Sequence, residues 1–102
     1  MIIVRLTYIA PITEVDKYLQ AHREFLDYYY KQGLLLASGP LKPRLGGIII
    51  ALTQDVTKLQ TIFEQDPYFL ADIATYDYLA FTPVKHRDEI KGLIQTSEGE
   101  VC

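Results

Sequence analysis

One of the two histidines in this sequence, His22, occupies a position where an imidazole has to be accounted for. At about 100° per residue, Val15, Tyr18, Leu19, Phe25, Leu26 and Tyr29 all project within roughly 60° of it. Lys17, Gln20, Glu24, Asp27 and Lys31 fall on the opposite side. The segment from Thr13 to Lys31 therefore reads as an amphipathic helix whose apolar stripe is interrupted by a single titratable ring. An imidazole nitrogen without a partner in a dry interior loses its hydrogen bonds to water, so the position needs a reason. One reason is structural, a core histidine bonded to a backbone carbonyl. The other is chemical, a general acid or base held in a cleft, for which the titration range of histidine is suited.

Three further segments carry reactive or recognition groups. Asp66-Pro67-Tyr68-Phe69 puts a carboxylate at a helix start amid aromatic rings; an ordinary N-cap is the plainer reading. Ser38-Gly39-Pro40 offers a small hydroxyl and backbone donors, or simply ends a strand. Arg44, followed by Gly46 and Gly47, is a cation that can hold an anionic group, although a solvent-facing loop arginine is commoner. His86 lies between Lys85 and Arg87 and reads as a solvated surface group. The sequence has no dinucleotide-binding glycine pattern, P-loop, nucleophile elbow or C-x-x-C. Neither cofactor nor metal is expected, and Cys102, alone near the chain end, has nothing to activate it.

Composition narrows the setting. A chain of 102 residues, 49% hydrophobic, has material for one small core, so a single domain over residues 1–95 is expected, with residues 96–102 as a disordered tail. A net charge of −3 with dispersed basic residues argues against nucleic acid as a partner. No apolar run approaches the roughly 20 residues of a membrane span. Met1-Ile2-Ile3-Val4-Arg5 has no signal-peptide pattern, so a cytoplasmic location is expected.

The elements that must position these groups follow from periodicity and punctuation. Strands are expected at Ile2–Ile9, Leu34–Ser38, Ile48–Thr53 and Ile73–Thr82. Helices are expected at Thr13–Lys31 with Thr13 as cap, after Asp55, and after Asp66 with Pro67 at its first position. Gly33 ends the long helix, residues 40–47 form a turn-rich connection, and residues 85–95 add a short helix. The order β-α-β-β-α-β is that of the ferredoxin-like α+β fold, a four-stranded antiparallel sheet with helices on one face. Both sheet faces look apolar: Ile2, Val4, Leu6 and Tyr8 on one side of the first strand, Ile3 and Ile9 on the other. Helices cover one face only, so the other is expected to meet a second copy of the chain across a two-fold axis.

Taken together, His22-Arg23-Glu24-Phe25-Leu26, Ala37-Ser38-Gly39-Pro40, Gly46-Gly47-Ile48 and Asp66-Pro67-Tyr68 resemble, in order and approximate spacing, the YciI-like (YCII-related) family. The likeness extends from Met1 to about Lys85. It implies a subunit of the dimeric α+β barrel type, a homodimer through the sheet face. It also implies a histidine–aspartate pair in a cleft, which by motif is His22 and Asp66, with Ser38, Gly39 and Pro40 lining the same pocket. Arg44 and Tyr68 are the remaining candidates for substrate contact. A carboxylate that accepts from one imidazole nitrogen fixes the tautomer and raises the basicity of the other. The expected function is a cofactor-free acid–base enzyme, lyase- or isomerase-like, acting on a small organic molecule. The alternatives are a non-catalytic small-molecule binding module, and a structural dimer whose buried pair only fixes the fold.

Overall fold

The structure is a computed structural model and describes residues 1–95; the expected tail at 96–102 lies outside the described residues. Four strands, β1 (Ile2–Tyr8), β2 (Leu35–Pro40), β3 (Gly46–Ala51) and β4 (Ala74–Ala80), form one sheet in the order β2-β3-β1-β4. Every neighbouring pair is antiparallel. Register assigns each row of side chains to a face. Ile49, Val4 and Tyr78 form one row of the core face, and Gly47, Leu6 and Tyr76 form the next. Helices α1 (Ile12–Asp16), α2 (Leu19–Lys31), α3 (Val56–Phe63) and α4 (Pro67–Leu70) supply the other half of that core, with Val15, Leu26, Leu59, Phe63 and Tyr68 buried against Ile2, Val4, Leu6 and Ile49.

The long helix expected from Thr13 is two helices. The backbone N–H groups of Lys17 and Tyr18 bond to the carbonyls of Glu14 and Val15, a tightened i→i−3 closure that ends α1. Tyr18 then precedes α2 as its cap, and Pro11, not Thr13, caps α1. Such a break leaves the angular order of side chains nearly intact, so His22 keeps its place beside Leu26 on the buried face of α2. Gly33 follows α2 with φ +76°, the left-handed conformation in which glycine carries no Cβ penalty.

Two strand boundaries differ from expectation for one reason. Gly39-Pro40 does not stop β2, and Gly46-Gly47 does not lie in the connection, which shortens to residues 41–45. Instead Gly39 pairs with Ile48, Pro40 with Gly47, and Gly47 with Leu6. Pro40 is tolerated because β2 is an edge strand. Glycine at 46 is required by packing, since a Cβ there would run into the Leu6 carbonyl. β4 is also shorter than expected, Ala74–Ala80 in place of Ile73–Thr82.

The second sheet face is graded, not uniformly apolar. Ile50, Ile3 and Leu79 form its apolar row; the next row is Ile48, Arg5 and Asp77, where Arg5 and Asp77 form an ion pair at 3.0 Å. Thr7 and Thr75 follow. Helix α5 (Lys91–Gln95), preceded by a 3₁₀ turn at Asp88–Ile90, brings Ile90 and Ile94 onto Met1, Leu36, Ile50 and Leu52. The chain thus covers part of this face itself.

The two glycines separate conformational from steric need. Gly33→Ala should cost about 1 kcal/mol, the usual penalty for a left-handed residue with a Cβ. Gly46→Ala should cost about 3 kcal/mol or more, because backbone must move to admit the methyl group. Urea midpoints of the two variants check the order; equal losses would count against the steric reading.

Candidate functional site

Asp66 is completely buried, and every part of its carboxylate is engaged. It is the N-cap of α4, with Pro67 at the first helical position, and its Oδ1 accepts from the Tyr68 backbone N–H at 3.0 Å. The hydroxyl of Tyr76, on β4, donates to Oδ2 at 2.8 Å. His22 Nδ1, on α2, lies 2.9 Å from Oδ1 and 3.0 Å from Oδ2. Three elements thus converge on one carboxylate. As an N-cap, Asp66 has a counterpart in Asp55, which accepts from Lys58 N–H at the start of α3 but is exposed. What distinguishes Asp66 is burial and the two side-chain partners.

The partner of His22 is this carboxylate and not a backbone carbonyl. Nδ1–H donates to Asp66, which leaves Nε2 as the acceptor of the neutral ring. Tyr68 fixes the ring plane, its own ring stacking on the imidazole at 4.0 Å and 6°. The side chain of His22 retains 11% exposure, on the wall of a cleft of about 440 Å³. His22, Ser38, Gly39, Pro40, Arg44 and Tyr68 all line this cleft, and Asp66 stands directly behind His22. The six lie on four separate stretches of chain, which the pairing of β2 with β3 and the packing of α2 over the sheet bring to one place.

Several contacts here were not read from the sequence. Tyr30 hydrogen-bonds to the Ser38 hydroxyl at 2.7 Å. Asp16 forms an ion pair with Arg44 at 2.8 Å, and Tyr8 lies under the guanidinium with 5.8 Å to the ring centroid. The Asp16 hydrogen bond raises the pKa of Arg44 further, so it is a fixed cation. Tyr76 is the largest omission. Tyr76 shares one face of β4 with Ala74 and Tyr78, but its bond to Asp66 depends on how α4 meets β4. Among the described residues no cluster of three or more histidine, cysteine, aspartate or glutamate side chains is placed to hold a metal ion. No helix among them is long and apolar enough to cross a membrane. His86 is exposed and bonded to the Arg87 carbonyl.

A family model of the YCII-related domain matches residues 1–82. The chain belongs to the YCII-related family. No curated protein matches it. Among solved structures it is similar to a 5-chloro-2-hydroxyhydroquinone dehydrochlorinase from Burkholderia phenoliruptrix, solved in complex with 2,5-dihydroxybenzoquinone. The two are 18% identical and superpose with a TM-score of 0.62, over 87% of this chain and 98% of the other. That likeness shows a shared ferredoxin-like α+β fold for this YCII-related chain.

Two predictions follow from the buried carboxylate and the phenols around it. Asp66→Ala should lose about 3 kcal/mol, since it strands Tyr76, His22 and a helix N–H at once. Asp55→Ala should lose about 1 kcal/mol, the value of a cap alone. Chemical denaturation of both variants measures the gap. Burial pushes the phenols of Tyr68 and Tyr78 up to about 12, and burial together with the Asp66 charge raises Tyr76 as well. Unfolded tyrosine ionises near 10, so the unfolded state releases protons first. Stability should therefore be undiminished by these groups below pH 10 and fall between about pH 10 and 12. Absorbance of tyrosinate against pH, beside melting curves, should show late-titrating phenols; ionisation of all eight tyrosines near 10 would contradict this.

Proposed function

We propose that this YCII-related protein is an acid–base enzyme in which His22 Nε2 transfers the proton and Asp66 orients and supports the imidazole. The observation that carries the reading is the bond from Nδ1 to both carboxylate oxygens, 2.9 and 3.0 Å, on a ring that borders an open cleft. Asp66 holds the tautomer in which Nε2 has a free lone pair and stays bonded to Nδ1–H while Nε2 takes a proton. Stacking on Tyr68 prevents the ring from turning away.

The reaction class that suits this arrangement is lyase- or isomerase-like. Nε2 removes a proton from a carbon next to a carbonyl, and the C–H electron pair becomes the double bond of an enolate. In an isomerisation the imidazolium returns the proton at another carbon. In an elimination the electron pair instead expels a leaving group, and the imidazolium gives its proton to solvent or to the departing atom. The solved relative's description as a dehydrochlorinase is consistent with the second course. Small, oxygenated, carbonyl-bearing compounds are the substrates to try first. General acid–base catalysis of this kind contributes about 10²–10⁴-fold to a rate.

A panel of hydroxylated and halogenated quinols and cyclic enones, followed by ultraviolet absorbance, tests the reading. His22→Ala and Asp66→Asn should each lower turnover by about 10²–10⁴-fold, and the double variant should be little worse than either. Binding without turnover in the wild type would favour a small-molecule binding module. Variants that melt lower but turn over normally would refute the assignment.

We also propose that the protein pairs with a second copy through the second sheet face. Leu79, 66% exposed, lies in one row with the partly buried Ile3 and Ile50. Ile49 is unsuitable as a probe of that face, because it is buried against the helices. Sedimentation equilibrium should show a dimer that Leu79→Asp dissociates; a folded wild-type monomer at low micromolar concentration would overturn the proposal.

A further inference from the structure

Two features of the cleft have no part in the work of His22 and Asp66. The hydroxyl of Tyr68 is buried and has no hydrogen-bond partner among the described residues. Buried hydroxyls are nearly always bonded, and leaving one unsatisfied destabilises the fold. Tyr8 meets Tyr68 edge-on, with 6.0 Å between the ring centroids. The second feature is charge. The cleft is lined by two arginines, Arg23 and Arg44, and by no aspartate or glutamate, in a chain of net charge −3. Asp66 is buried behind His22, and Asp16, half exposed, pairs with Arg44 from outside the cleft.

We propose that this end of the cleft is an oxyanion site. The Tyr68 hydroxyl and the Arg44 guanidinium hold the charged oxygen of a small, mainly apolar organic acid, a carboxylate or an ionised enol, and Leu6, Leu26 and Ile49 receive its body. Tyr68 stays a donor across the physiological range, because burial and Tyr8 push its phenol up to about 12 against the opposing pull of Arg44. Arg44 has five N–H donors in a rigid fork, so one bond to Asp16 leaves others for a ligand. The stack puts the Tyr68 ring and the imidazole in nearly parallel planes, their centroids 4.0 Å apart. An acid anchored by its oxygen thereby presents its carbon skeleton to Nε2. The site deepens the acid–base reading and rests on it for the chemistry that follows binding, although binding can be tested alone.

Isothermal titration with three probes tests the site: benzoate, its neutral counterpart benzamide, and 2,5-dihydroxybenzoquinone as an ionised enol, all above the pH at which the acids protonate. At least one anion should bind, and benzamide should bind about tenfold or more weakly than benzoate if benzoate is the one that does. Binding of benzoate alone identifies a carboxylate site, and binding of the quinone alone an ionised-enol site; both sustain the proposal. Tyr68→Phe and Arg44→Met should each weaken the bound anion by about tenfold to a hundredfold. Tyr68→Phe should melt no lower than the wild type, since it deletes an unsatisfied hydroxyl and keeps the stacked ring. Equal affinity for benzamide, unchanged anion binding in Tyr68→Phe, or no binding of either anion would overturn the proposal. His22→Gln separates the two readings. Anion binding that depends on Tyr68 together with full turnover in His22→Gln sinks the acid–base role and leaves the oxyanion site. Lost turnover in His22→Gln with anion binding indifferent to Tyr68 does the reverse.

Discussion

Removing a carboxylate from water carries a penalty of several kcal/mol that only well-aligned donors offset, and Asp66 is buried completely. Its donors come from three directions: the first turn of α4, the imidazole of α2 and the phenol of β4. Losing any one leaves a buried polar group without a partner, so helix, helix and strand are held in one relative placement. The position of His22 against the sheet follows from this. A hydrophobic contact would tolerate sliding of α2 by an ångström; a bond from Nδ1 to both oxygens does not. The stack with Tyr68, the residue whose backbone N–H the same carboxylate caps, then fixes the ring about its remaining freedom.

The cleft is the space left over by that placement. Leu6 and Ile49 supply its floor from the core face of the sheet, and α2 supplies the opposite wall. Ionic pairing works from behind: Asp66 behind His22 and Asp16 behind Arg44. The cleft is therefore lined by cations and by no carboxylate, one compensating charge being buried at Asp66 and the other half exposed at Asp16. A site of this polarity needs no net positive charge on the molecule, which carries −3 overall.

The legibility of the sequence divides by the range of the cause. His22 stands out because helical periodicity is local, and the angular order survived even the break at Lys17 and Tyr18. Asp55 and Asp66 are legible as caps for the same reason. The β-α-β-β-α-β order was sufficient for the fold. Gly39, Pro40, Gly46 and Gly47 misled because each favours a turn when judged alone, whereas the deciding constraint on Gly46 is the Leu6 carbonyl, forty residues away in the chain. The second sheet face misled in the opposite sense. Alternation set Ile3 apart from Ile2 and Val4, but only register sets Arg5 beside Asp77, and nothing local announces that Ile90 and Ile94 fold back over Met1. The bond between His22 and Asp66 spans 44 positions and came only through family likeness; Tyr76, with no such guide, was missed.

The glycines Gly39 and Gly47, one register position apart on neighbouring strands, bring main chain to the cleft among the side chains of Ser38, Pro40, Ile48 and Ile49. Gly47 lies in the row of Leu6 and Pro40, and a Cβ on it would come within 3.2 Å of the Gly39 carbonyl. A surface made of backbone has almost no vocabulary for evolution to edit. Drift in ligand preference must then be written elsewhere, on the α2 side, where Leu19, Arg23 and Leu26 border the same space and side chains can be exchanged one at a time. Relatives that differ in what they accept should differ there before they differ at Gly39 or Gly47.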